Sequence, residues 1–168
     1  IMAAPITIRG PDKSVGAGAA RPVDPAAPVD EQLYPTLAVT AKGVTVVWED
    51  RRHGHTVLLT SFAEHGKAFT AATELNEVVQ KSATYGRGSG VTRATLAVFG
   101  ADQVGAAWMD KRNFSTAYDI YGAISRDGGR RFGKNEMVQD AFGENFSQWH
   151  PAISGAADGA LAVAWDDD

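Results

Sequence analysis

From residue 34 onward, short apolar runs alternate with polar or glycine-bearing turns. Three of the runs end in tryptophan: Val44-Thr45-Val46-Val47-Trp48, Val104-Gly105-Ala106-Ala107-Trp108 and Leu161-Ala162-Val163-Ala164-Trp165. The tryptophans lie 60 and 57 residues apart, and each has an aspartate two positions later. The runs are short and rich in β-branched and small residues, with no sustained 3.6-residue period, so the pattern predicts strands and no helices. A second run precedes each tryptophan run, opening Tyr34-Pro35-Thr36-Leu37-Ala38, Arg93-Ala94-Thr95-Leu96-Ala97 and His150-Pro151-Ala152-Ile153-Ser154. The turns between them carry Gly43, Asp102, and Asp158 with Gly159. A third run, such as Tyr118 to Ile124, follows the tryptophan strand after a polar turn.

Self-similarity at a fixed period is the mark of a repeat architecture. Each full repeat reads as four short antiparallel strands, which is one blade of a β-propeller. The predicted fold is therefore all-β, a propeller of four-stranded antiparallel blades, with about two and a half blades present. The division along the chain is an Ala/Pro/Gly-rich extended lead-in over 1–33, a first blade with its linker over 34–92, a second over 93–149, and the first half of a third over 150–168. Within the lead-in only Ile6-Thr7-Ile8 reads as a strand, because proline and glycine disfavour ladder pairing. Two and a half blades do not close a ring of about 4–8. Further blades are expected from a longer protein, other copies or a second chain. The stop inside the third unit, and an opening at Ile1-Met2, favour a piece of a longer protein.

Composition narrows this picture only modestly. A net charge of −4 argues against a dedicated nucleic-acid binder, which is normally basic. The absence of cysteine removes disulfides, thiolate metal sites and cysteine nucleophiles. No apolar run approaches the roughly 20 residues that span a bilayer, so no transmembrane segment is expected.

The second repeat contains Ser125-Arg126-Asp127-Gly128-Gly129-Arg130-Arg131-Phe132. This resembles the Asp-box, S-x-D-x-G-x-x-F/W, of the sialidase-like (bacterial neuraminidase repeat) propellers. Asp127 is suited to accept backbone N–H groups of its own turn, Gly129 to supply a positive φ, and Phe132 to enter the layer between sheets. In the first repeat Phe62, Glu64, Gly66 and Phe69 are read as a degenerate copy. The resemblance covers residues 34–168. It implies an exported bacterial protein, extracellular or periplasmic, and places the Asp-box on the face away from a sialidase active site.

If that geometry holds, the opposite end is the functional face. It carries Asp50, Arg51, Arg52, His53 and His55, then Asp110, Lys111, Arg112 and Asn113, then Asp166, Asp167 and Asp168. The linker residues Tyr85, Arg87, Glu144, Asn145, Phe146 and Trp149 lie at the same end, with Tyr34, Arg93 and His150 beside the central channel. Arg93, His150, Tyr34, Arg52, Arg112 and Trp149 are the candidate ligand-binding residues. Arginine grips a carboxylate bidentately, and aromatic rings stack on sugars. Arg52 and Arg112 recur at equivalent places, and each is expected to pair with the aspartate two residues earlier. Asp166 to Asp168 offer carboxylate oxygens suited to calcium; no other cofactor is implied. His53 and His55 are a pair without a third metal ligand. Asn113-Phe114-Ser115 and Asn145-Phe146-Ser147 fit a glycosylation sequon, relevant only in a eukaryotic secretory route. A sialidase uses several arginines and a tyrosine nucleophile assisted by an acid. No such Tyr/Glu pair is assignable, and the Arg-Ile-Pro opening of many sialidases is absent, with only Arg21-Pro22 near it. The expectation is a non-catalytic binding or assembly segment taking a glycan or protein ligand. The alternatives are part of a sialidase-type glycoside hydrolase whose catalytic residues are shared with further blades, and a lectin.

Overall fold

The computed structural model describes residues 1–11, 13–26, 30–52, 54–77, 90–112, 117–139 and 146–168. Among these residues the chain is all-β, built from several small antiparallel sheets. Strands β5 (Gln32–Thr40), β6 (Gly43–Asp50), β7 (Val57–Glu64) and β8 (Thr73–Glu74) form a four-stranded sheet in chain order. Strands β9 (Val91–Phe99), β10 (Gln103–Asp110), β11 (Asp119–Ser125) and β12 (Glu136–Met137) form a second in the same order. Strands β13 (Gln148–Gly155) and β14 (Leu161–Asp167) form a two-stranded third sheet. No helix of the described residues is long and apolar enough to cross a membrane.

The tryptophan strands β6 and β10 are second in their sheets and buried almost throughout. A strand covered on both faces needs no polar alternation, which explains the continuous runs in the sequence. Successive side chains still point to opposite faces, and this sorts the core into layers. Val47 and Leu58 of the first sheet meet Ala106, Trp108, Tyr121 and Ala123 of the second, with Phe132 packed against them. On the other face of the second sheet, Ala107, Met109 and Ile120 meet Ile153, Val163 and Trp165 of the third. Gly105 is small because the third sheet comes close there: a Cβ would stand 2.7 Å from Leu161 Cδ2.

The remaining face of the first sheet presents Val46, Trp48, Val57 and Leu59, and it is the N-terminal segment that covers it. Val23 is fully buried in this layer, with Ile1 and Ala3 packed beside it. The expected extended lead-in is in fact paired. Strand β1 (Met2–Ala3) pairs with β4 (Arg21–Pro22), and β2 (Ile6–Arg9) with β3 (Ser14–Ala17). Proline and glycine are tolerated here because these strands are short and lie at edges.

The expected boundaries at 33/34, 92/93 and 149/150 each fall inside a strand. Strands β5, β9 and β13 begin two residues earlier, at Gln32, Val91 and Gln148. Each strand then carries a bulge. Leu33 faces Glu49 while Thr36 faces Val47, so one extra residue enters β5. The same slip separates Thr92 from Thr95 opposite Met109 and Ala107, and Trp149 from Ala152 opposite Asp166 and Ala164.

Candidate functional site

The bulges supply the least expected backbone in the molecule. Tyr34, Arg93 and His150 have φ of 48°, 58° and 49°. The left-handed region costs a non-glycine residue on the order of 1–3 kcal/mol, and such strain gathers where a side chain must be aimed. All three side chains are exposed. The Arg93 guanidinium carbon stands 4.0 Å from the centre of the Tyr34 ring, a cation–π stack that joins the first two bulges. Glu49 fixes the second bulge from below: its Oε1 accepts the Arg93 backbone N–H at 2.8 Å and the Thr92 hydroxyl at 2.6 Å. Among the described residues no carboxylate forms an ion pair with the Arg93 guanidinium. His150 Nδ1 lies 2.9 Å from Asp166 Oδ2.

Aromatic residues continue this surface. The Trp149 ring packs 5.4 Å from that of Tyr118, and Lys111 Nζ stands 5.7 Å over Tyr118. Burial, with the negative charge of Glu49 added, pushes the Tyr118 phenol above its ordinary pKa. Its proton is therefore held more firmly, the reverse of what activates a phenolate nucleophile.

The tryptophan turns use their polar groups differently. Trp48 Nε1 donates to Asp50 Oδ2 at 3.3 Å, and Trp108 Nε1 to Asp110 Oδ2 at 3.0 Å. The second oxygen of each aspartate accepts the backbone N–H two residues on, from Arg52 and Arg112, at 2.9 Å in both. The guanidinium of Arg52 then bonds Asp50 and Asp24, at 2.8 and 2.6 Å. That of Arg112 bonds Asp110 at 2.6 Å and stacks 3.7 Å over Tyr121. Burial alone would raise the Asp50 pKa. The hydrogen bonds from Arg52, Gln32 and Trp48 outweigh it and hold the carboxyl well below the usual range. Arg52 is correspondingly raised, chiefly by its bonds to Asp50 and Asp24. Both arginines are thus committed to buried carboxylates of the fold.

Asp166, Asp167 and Asp168 do not converge. They meet His150, Gln148 Nε2 at 2.9 Å and Trp149 Nε1 at 2.7 Å respectively. Among the described residues no group of three or more acidic or histidine side chains is placed to hold a metal ion. His53, Tyr85, Arg87, Asn113, Glu144 and Asn145 lie outside the described residues, as does Ser115. Phe146 is exposed.

The turn from Ser125 to Phe132 lies at the other end of the second sheet. Ser125 Oγ donates to Asp127 Oδ1 and accepts the Gly129 N–H, at 2.8 and 2.9 Å. Asp127 Oδ1 also accepts the Arg131 N–H at 3.0 Å. These bonds overcome the effect of burial and lower the Asp127 pKa. Gly129, at φ 94°, leans on the first sheet: its carbonyl accepts the Thr45 hydroxyl, and a Cβ would collide with Thr45 Oγ1. In the first repeat the register differs from the expected alignment. Trp48 faces Leu59 as Trp108 faces Tyr121, so Ala63, not Phe62, occupies the place of Ser125.

No family model, curated protein or solved structure matches this chain. The site therefore has to be read from its own residues. Several were not singled out from the sequence: Glu49, Tyr118, Asp24, and the glutamines Gln32 and Gln148. The glutamines had a signal, since each stands two residues before Tyr34 or His150 and bonds the aspartate of the tryptophan turn.

Proposed function

We propose that this chain is a segment of a β-propeller of the sialidase-like, Asp-box type, acting as a non-catalytic binding module of an exported protein. The sheets that follow one another in chain order, the tryptophan layers and the Ser125–Phe132 turn support the architecture. The ligand is an anionic one, a carboxylate-bearing glycan, taken at the bulge surface. One observation carries this reading: Arg93 is exposed, held in strained backbone, braced on Tyr34 and without an acidic partner among the described residues. An arginine pre-positioned this way presents its donor fork at low entropic cost. Tyr34 flanks it with a stacking ring, and Trp149 and His150 stand at the corresponding bulge of the third sheet. Arg52 and Arg112 serve the fold.

The test is titration calorimetry of the purified chain with carboxylated and neutral sugars. The carboxylated sugars bind, and Arg93→Ala weakens them by about tenfold or more, as loss of a charged hydrogen bond requires. Equal affinity for neutral sugars, or no effect of Arg93→Ala, counts against the site. Turnover of a fluorogenic sialoside by the same material overturns the non-catalytic reading in favour of a glycoside hydrolase.

A further inference from the structure

We infer that Glu49 is a positioning residue for Arg93, and that its buried carboxylate serves the bulge site and not the stability of the fold. The inference rests on the reading of the bulge surface as the binding site. Glu49 follows Trp48 near the end of β6, on the face that Val47 turns toward the second sheet. It is 4% exposed. Among the described residues no lysine, arginine or histidine forms an ion pair with it. Both donors described for it are neutral and meet one oxygen: Oε1 accepts the Arg93 N–H at 2.8 Å and the Thr92 hydroxyl at 2.6 Å. A buried carboxylate answered by neutral donors destabilises a fold, and an apolar side chain of similar volume in its place is often neutral or stabilising.

The second sheet shows that the bulge can be built without a carboxylate behind it. Met109 follows Trp108 at the corresponding place in β10, is 2% exposed, and belongs to the layer that meets the third sheet. Across that layer the β13 bulge forms all the same: His150 has φ of 49°, against 58° at Arg93. The slip in register is the same in β9 and β13. A left-handed bulge thus stands opposite methionine in one joint and glutamate in the other. The Thr92 and Arg93 donors also lie near the surface, where water can satisfy them if the carboxylate is removed.

What Glu49 adds is a polar tie from β6 to the backbone of β9, at the residue whose side chain takes the ligand. Tyr34, which stacks 4.0 Å from the Arg93 guanidinium, also belongs to the first sheet. The first sheet therefore holds Arg93 at both ends, the backbone through Glu49 and the guanidinium through Tyr34. A long side chain fixed in this way has less freedom to lose when a carboxylate binds. The donor fork stays open, because Glu49 bonds the Arg93 backbone and forms no ion pair with its guanidinium.

Two variants separate positioning from folding. Glu49→Met copies the second sheet, and Glu49→Gln keeps an accepting oxygen. Each is compared with wild type by urea unfolding, by ¹⁵N relaxation of the Arg93 Nε–H (assigned from its loss in Arg93→Lys), and by NMR titration with glucuronate, glucose being the neutral control. Glu49→Met is expected to unfold at the same or a higher urea concentration than wild type, with the Arg93 Nε–H made mobile. Its glucuronate affinity is expected to fall by about two- to tenfold, the entropy of one long side chain left unfixed. Glu49→Gln restores both the ordered Nε–H and the affinity. A Glu49→Met protein that is less stable or does not fold overturns the inference, because the carboxylate then serves the fold. An Nε–H that stays ordered in Glu49→Met or turns mobile in Glu49→Gln overturns it too, as does undiminished affinity in a Glu49→Met protein whose Nε–H is mobile. Wild-type protein that binds no glucuronate, with the stability and relaxation results as expected, overturns the carboxylate-binding reading and upholds the positioning of Arg93 by Glu49.

Discussion

Single residues in this fold divide into those that lock a turn and those that aim a side chain. Asp50 belongs to the first kind, accepting from Trp48, Gln32 and Arg52 at once. Its carboxyl is depressed in the folded chain, so its stabilisation is complete above the ordinary aspartate value of about 3.9 and is lost as pH falls toward the folded value. Urea melts between pH 2 and 6 are expected to show stability falling below about pH 4, with a shallower fall in Asp50→Asn. An identical acid limb in both proteins counts against this role. Trp108, fully buried, is expected to cost about 3–5 kcal/mol on replacement by alanine; a loss below about 1 kcal/mol places it outside the core. His150 is of the second kind. Glycine at its φ of 49° relieves strain, whereas a β-branched side chain adds to it. His150→Gly is expected to hold or raise stability by up to about 2 kcal/mol, and His150→Val to lower it by at least about 1 kcal/mol. Equal melts for the two variants mean that the bulge is not left-handed. The aspartate–arginine pairs were legible in the sequence because a two-residue spacing across a turn leaves few other partners. The left-handed bulges were not, since Tyr, Arg and His share no backbone preference that announces them.

At the level of elements, the tryptophan strands declared themselves by composition, being buried on both faces. The N-terminal segment concealed its role. Its alanines, prolines and glycines read as an extended lead-in, yet two residues tie it to the first sheet: Val23 seals the layer over Trp48, and Asp24 bonds Arg52. Nothing in residues 1–33 alone reveals the face they cover, because that face belongs to strands further on. Val23→Asp puts an unpaired charge in this layer and is expected to cost at least about 3 kcal/mol, with Trp48 emission shifted to the red. A variant with wild-type stability and emission shows that the segment does not seal the sheet. The strand starts were misplaced by two residues for a related reason. Gln32, Val91 and Gln148 look like linker until their pairing with the next strand is seen.

Across the whole molecule, specific polar links tie the first sheet to the second alongside the apolar layer between them. Thr45 bonds the Gly129 carbonyl, the Ala41 N–H bonds Asp102, and Asn135 exchanges bonds with Glu77. Gly129→Ala sets a methyl against Thr45 at an unfavourable φ, and is expected to loosen the first sheet from the second at a cost of more than about 2 kcal/mol. Faster proteolysis is its expected signature, and unchanged cleavage argues that the tie is dispensable. The direction of the tryptophans has a wider meaning. Trp48 rests on the N-terminal segment, Trp108 on the first sheet and Trp165 on the second. Each faces chain that precedes it. A ribosome delivering this protein thus has the layer facing each of these rings already made when the ring emerges, and only the neighbours on its own sheet are still to come.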